Sequence, residues 1–240
     1  MLFFSPLEQF EINFLYLKFD FLNNYLIILF IIFSFIFFYF FFNFKLIPSV
    51  IQYFLEGLYK FIIETLIQQA GLSSLFIFPF IFSIFFFILL SNLVGMLPFG
   101  FTITSHLSLT FFLALSFNLG FFFFGLYLNG YYFFLLFIPK GTPLILLPLI
   151  VVIEIVSYLI RTLSLSIRLF ANMMAGHCLL FVISSFIFSF INFIGVKSLF
   201  FIIFIYLGIF FLEFAIAFLQ AYVFMILICI YLNDALHPVH

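Results

Sequence analysis

Apolar residues run through this chain in long blocks parted by short polar seams, and the spacing inside each block sets what it can form. Tyr25 to Phe44 carries no charge. At about 20 residues it is long enough, as a helix, to cross a hydrocarbon layer of about 30 Å. From Pro48 to Gly71 the pattern changes. Gln52, Glu56, Lys60, Glu64 and Gln68 recur at every fourth position, with Ile51, Phe54, Leu55, Leu58, Phe61 and Ile62 between them. That period predicts an amphipathic helix over 48–71, begun at Pro48 and stopped at Gly71. A polar stripe this regular suits a helix lying on the membrane surface. A helix packed against another subunit would carry the same pattern.

Two further spans are predicted over 75–97 and 107–128, joined through the turn signal Pro98-Phe99-Gly100. Asn129-Gly130 closes the second, and a short aromatic segment leads on to Lys140-Gly141-Thr142-Pro143. Two long apolar blocks remain, 143–190 and 196–232, separated by Asn192 to Lys197. About 48 helical residues measure about 72 Å, more than twice the hydrocarbon thickness. No proline falls between Pro148 and Pro238, and glycines there are few. Continuous, steeply inclined helices follow rather than broken ones. The predicted fold is an all-α polytopic membrane protein of one domain, 1–240. It has one N-terminal span, a surface amphipathic helix, a helical hairpin and two long tilted C-terminal helices.

Composition sharpens this. Hydrophobic residues make up 68% of the chain and charged ones 6%, where a soluble domain needs about a quarter charged to wet its surface. Net charge is −1, so no field is available to gather nucleic acid or an acidic substrate. The two cysteines, Cys178 and Cys229, lie in apolar runs and read as small core residues, not as a disulfide or metal pair. The 50 phenylalanines have no packing reason; an AT-rich coding sequence, as in an organellar genome, would produce them. Residues 1–24 carry Glu8, Glu11, Lys18 and Asp20, without the marks of a secretory leader or of an Arg-rich transit peptide. Synthesis inside an organelle or in a bacterium is the expectation. Lys45, Lys60 and Lys140 fall on one side if the N-terminus is outside and the chain crosses five times, with Lys197 opposite. The positive-inside rule then puts the C-terminus on the inner, matrix side.

Charges inside the last two blocks carry the functional signal: Glu154, Arg161, Arg168, His177 and Glu213. Each charge near a helix centre costs roughly 2.5–3.5 kcal/mol on insertion scales. Such groups persist when they line a wet cavity, pair with one another, or transport ions. Glu154, Arg161 and Arg168 are seven residues apart and form one slowly rotating stripe that Asn172 continues. His177, nine beyond Arg168, points the other way, so no single wire runs down one face. In the last block Glu213 and Gln220 are again seven apart. Antiparallel packing would bring Gln220 near Arg168 and Glu213 near His177. An imidazole beside a carboxylate is a suitable proton relay. Arginine never gives up its proton and acts as a fixed positive barrier.

Ser164 to Leu180, SLSIRLFANMMAGHCLL, resembles the signature of the ATP synthase a subunit, in which the arginine of RLFAN is the essential residue. Leu219 to Leu232 is similar to that family's last helix, and Ser91 to Phe99, SNLVGMLPF, to the end of its third. The resemblance is clear over about Leu144 to Leu232 and weaker from Ser91. Ala-Gly-His with a glutamate in the last helix resembles mitochondrial members; many bacterial members exchange acid and histidine. The resemblance implies a stationary subunit of the Fo motor in the mitochondrial inner membrane. It implies protons as the transported ion and, as partners, a ring of c subunits, the peripheral stalk, other Fo subunits and the bilayer. It further implies one half-channel at His177 and Glu213, another at Glu154, and Arg168 between them, with Asn172, Gln220 and Arg161 in support. No phosphate-binding loop is present, so ATP would be made elsewhere in the complex.

Rival readings are a secondary transporter or proton channel with an intramembrane charge relay, a respiratory redox subunit, and a structural scaffold. A transporter should show an inverted repeat, and none is visible. The histidines His106, His177, His237 and His240 do not fall at haem-ligand spacing, so no cofactor or metal is expected. His106 reads as an interfacial residue or a channel mouth. Asn233 to Pro238 reads as a surface end, or as a contact with a neighbouring subunit.

Overall fold

The computed structural model describes residues 26, 28–34, 48–96, 102–138, 146–194 and 196–237. Residues 28–34 are helical and are termed α1; the rest of the span expected over 25–44 lies outside the described residues. Ile32 of α1 packs on Ile103. The amphipathic helix α2 runs Val50–Ala70. Ser49, not Pro48, caps it, its hydroxyl accepting from the Gln52 N–H at 3.4 Å. Gly71 ends it with a φ of 75° that an L side chain rarely adopts. The polar stripe is less regular than its spacing: Lys60, Glu64 and Gln68 are exposed, but Gln52 is buried and donates to Glu56 Oε1 at 2.8 Å. Ile62, Leu66 and Ala70 form the buried face, turned toward the last helix.

A 3-10 segment, Leu72–Ile77, precedes α3 (Phe78–Gly95), so the predicted span from 75 begins as a tighter coil. Pro79 stands in the first turn of α3, where a missing N–H costs nothing. Helix α4 is Leu107–Asn129. After Gly130 the aromatic segment is a 3-10 helix, Gly130–Phe137, folded back on α4. Phe133 sits against Gly125, where a Cβ would overlap its ring.

Helices α5 (Leu147–Ile194, 48 residues) and α6 (Val196–Leu236, 41 residues) are uninterrupted, about 72 and 62 Å long at 1.5 Å per residue. Without an internal proline nothing removes a backbone hydrogen bond. Among the described residues four helices are long and apolar enough to cross a membrane. The core is built around α6, which meets α2, α3, α4 and α5. Within an apolar stretch of 18 residues in each helix, 50% of α6 is buried, against 17% of α5. The helix that carries Arg168 is therefore the one with an open face.

Candidate functional site

Thr162, Leu165, Ser166, Leu169 and Met173 make the buried strip of α5. Arg168 lies off the edge of that strip and is exposed, with no hydrogen bond or ion pair to a described residue. Glu154 and Arg161, each a seven-residue step back, are partly buried. The stripe read from the spacing is thus a boundary line between the packed and open faces of α5.

Three contacts fix how α5 lies on α6. Arg161 Nη1 is 4.0 Å from Asp234 Oδ2. Asn172 Nδ2 donates to Gln220 Oε1 at 3.2 Å. Glu213 sits against Gly176, where a Cβ would overlap its Oε1. Partners on α6 run backward as α5 runs forward, so the helices are antiparallel. Gln220 meets Asn172, one turn beyond Arg168. Glu213 lies beside Gly176, and His177 is the next residue, partly buried.

Helix α3 closes this region from behind. Asn92 is fully buried and its Nδ2 donates to the Ala217 carbonyl at 3.4 Å, between Glu213 and Gln220 on α6. Met96, Met173 and Ala217 form an apolar plug beside it. Both Glu213 oxygens are buried without a hydrogen-bond partner among the described residues. Buried polar groups that serve packing are paired, so this carboxylate does not tie one helix to another. His106 stands at the start of α4, partly buried at the end of the α3–α4 connection. Among the described residues no cluster of three His, Cys, Asp or Glu could hold a metal. Cys229 is buried and Cys178 partly so, both free.

Residues 24–233 match the family model for the ATP synthase A chain. The chain belongs to that family. ATP synthase subunit a of Acanthamoeba castellanii is 45% identical over 99% of each chain. The namesakes from Bartonella bacilliformis and Parvibaculum lavamentivorans are 46% and 45% identical over 82% and 81% of this chain, and 79% and 76% of their own. As a member of the ATP synthase a-subunit family, it has the role of a membrane-embedded, proton-translocating Fo subunit.

Three residues of the site escaped the reading of the sequence. The sequence reads Asp234 as part of a surface end or of a contact with a neighbouring subunit, but α6 continues to Leu236 and Asp234 is the partner of Arg161. Its spacing could have shown it, for Asp234 is two seven-residue steps beyond Gln220 and so on the same face. Asn92 stands in the quoted Ser91–Phe99 segment, but nothing in its spacing tells a buried cap on α6 from a lipid-facing amide. Gly176 was read only as part of a motif; its role is space, which no pattern of side chains records.

Proposed function

We propose that the chain forms the stationary half of a proton path in the mitochondrial inner membrane, beside a rotating ring of c subunits. Protons reach the ring through a half-channel containing His177 and Glu213 and leave past Glu154, with the N-terminus toward the intermembrane space and the C-terminus toward the matrix. Arg168 separates the two. Asn172 and Gln220 hold α5 on α6 next to it, and Arg161 anchors the same crossing one heptad back. The peripheral stalk and other Fo subunits hold the chain still against the ring.

The observation that carries this reading is the contrast between two charged groups on one helix pair. Arg168 is exposed on the open face of α5 and unpaired among the described residues, whereas Glu213 is buried against Gly176 on the packed side. A guanidinium on an open face at membrane depth is costly unless a partner supplies a carboxylate. A passing ring carboxylate would be ionised beside it and could not carry its proton across directly. Glu154 is fourteen residues from Arg168, about 21 Å along α5, and His177 lies about 14 Å the other way. Both gaps are too long for a direct proton hop, so transfer needs a moving carrier or water.

Arg168→Ala in the assembled synthase tests it. Proton-driven ATP synthesis is lost while the complex remains intact by native electrophoresis. Normal coupled synthesis in that variant overturns the assignment.

A further inference from the structure

Arg168 is exposed on the open face of α5, so its charge bars protons only along that face. A second route between the half-channels runs behind it, through the packed side of α5 and α6. Polar side chains mark its ends. Glu213 stands beside Gly176 at the outer end. Seven residues on along α6, about 10 Å, Gln220 Oε1 accepts from Asn172 Nδ2 at 3.2 Å. From that contact the partly buried stripe of Arg161 and Glu154 leads toward the inner end. Water joining Glu213 to Gln220 would therefore let protons slip past Arg168 with the ring at rest.

One group of side chains fills that interval. Met96 at the end of α3, Met173 of α5 and Ala217 of α6 are buried against one another, with Phe210 packed on their flank. They form a cluster of their own, apart from the main core around Phe224 and Ile228. Their order along each helix sets them between the two polar contacts: Ala217 falls between Glu213 and Gln220, and Met173 between Asn172 and Gly176. Asn92 pins the cluster, its Nδ2 donating to the Ala217 carbonyl at 3.4 Å, and Met96 follows one turn later at the C-cap of α3. On either side Glu213 Oε1 and Oε2, Asn92 Oδ1 and Gln220 Nε2 are buried, without a hydrogen-bond partner among the described residues. Unmet polar groups cost stability, and a hydrated interval would satisfy them. The fold instead closes the interval with two unbranched thioethers, side chains that adapt to irregular gaps.

We propose, on the half-channel assignment made above, that Met96, Met173 and Ala217 form a dry seal behind Arg168, which keeps protons from passing between the two half-channels through the interior of the bundle. An apolar constriction excludes water by dewetting. The seal thus does for the packed side of α5 what the guanidinium does for its open face. Neither barrier replaces the other, because a charge on one face cannot dry the opposite one.

The test uses the assembled synthase in liposomes, its ring carboxylates blocked with dicyclohexylcarbodiimide so that protons cannot cross by rotation. A potassium diffusion potential drives protons inward, and an enclosed pH dye reads the flux per assembled complex. Met173→Gln and Met96→Gln exchange a thioether for an amide of nearly the same size. Each raises the flux about five-fold or more over the unaltered complex, because the interval now holds water. Met173→Leu stays apolar and remains tight. Flux in both glutamine variants equal to that of the unaltered complex, or an equal leak in Met173→Leu and Met173→Gln, overturns the proposal. Normal coupled synthesis in Arg168→Ala would instead overturn the half-channel assignment, so the two failures are told apart.

Discussion

At the scale of single residues, the most consequential feature is a missing atom. Gly176 has no Cβ, and the Glu213 carboxylate occupies the space one would fill. Gly176→Ala therefore forces Glu213 off α5, away from the residue that precedes His177. Misplacement of a reacting group by about 1 Å costs on the order of 100-fold in rate, and a loss of ten- to hundred-fold in proton-driven ATP synthesis is expected on that basis. Gly57→Ala is the control, since a Cβ there meets nothing within 4 Å. Equal synthesis rates in the two variants, normalised to assembled complex, would remove Gly176 from the site. The residue types that announce themselves in an apolar sequence are charges, and Glu154, Arg161, Arg168, His177 and Glu213 were legible for that reason. Rotation about the helix was less so. A 100° step per residue separates Arg168 from Asn172 by only 40°, too little for spacing to decide which of them meets Gln220.

At the scale of elements, the crossing of α5 on α6 rests on a few polar contacts within an apolar interface. The Arg161–Asp234 pair is the most distant of these from Glu213 and joins a side chain 38% exposed to one 16% exposed. Exposed pairs contribute about 0–1 kcal/mol and breaking buried ones costs about 3–5 kcal/mol. A part-buried pair falls between, at roughly 1–3 kcal/mol. Arg161→Asp and Asp234→Arg each lower the thermal stability of the solubilised complex, and the double exchange recovers most of the loss. Additive losses in the double variant would show that the two charges do not act on each other. Element boundaries were readable where a single residue enforces them: Gly71 and Gly130 stop α2 and α4, and the absence of proline keeps α5 and α6 whole. Where tertiary packing decides, reading failed. The 3-10 helix Gly130–Phe137 depends on Phe133 finding Gly125. The last turn of α6 persists because Ala235 is buried and its carbonyl accepts from Asn129 Nδ2 at 2.7 Å.

For the whole molecule, internal contacts sort the helix ends into two groups before any membrane is considered. The Asn129–Ala235 bond brings the end of α4 to the end of α6. Thr65 Oγ1 approaches Met225 Sδ at 4.0 Å, which sets α2 against the later half of α6. These ends belong to one side. The start of α4 lies a span away, at the far end of the hairpin, where Ile103 meets Ile32 of α1. Lysines then choose which group is inner. Lys60 is on α2 and exposed; in the orientation proposed above, which follows the positive-inside rule, it and His237 are expected on the matrix side. Single cysteines at Lys60, Leu107 and His237, in a background lacking Cys178 and Cys229, separate the alternatives. A membrane-impermeant maleimide applied from the outer side labels Leu107→Cys alone, and applied to inverted vesicles it labels the other two. Labelling of Lys60→Cys and His237→Cys from opposite sides would contradict the packing of α2 and α4 on α6. Labelling of both from the outside would leave the fold standing and reverse the direction of proton flow through it.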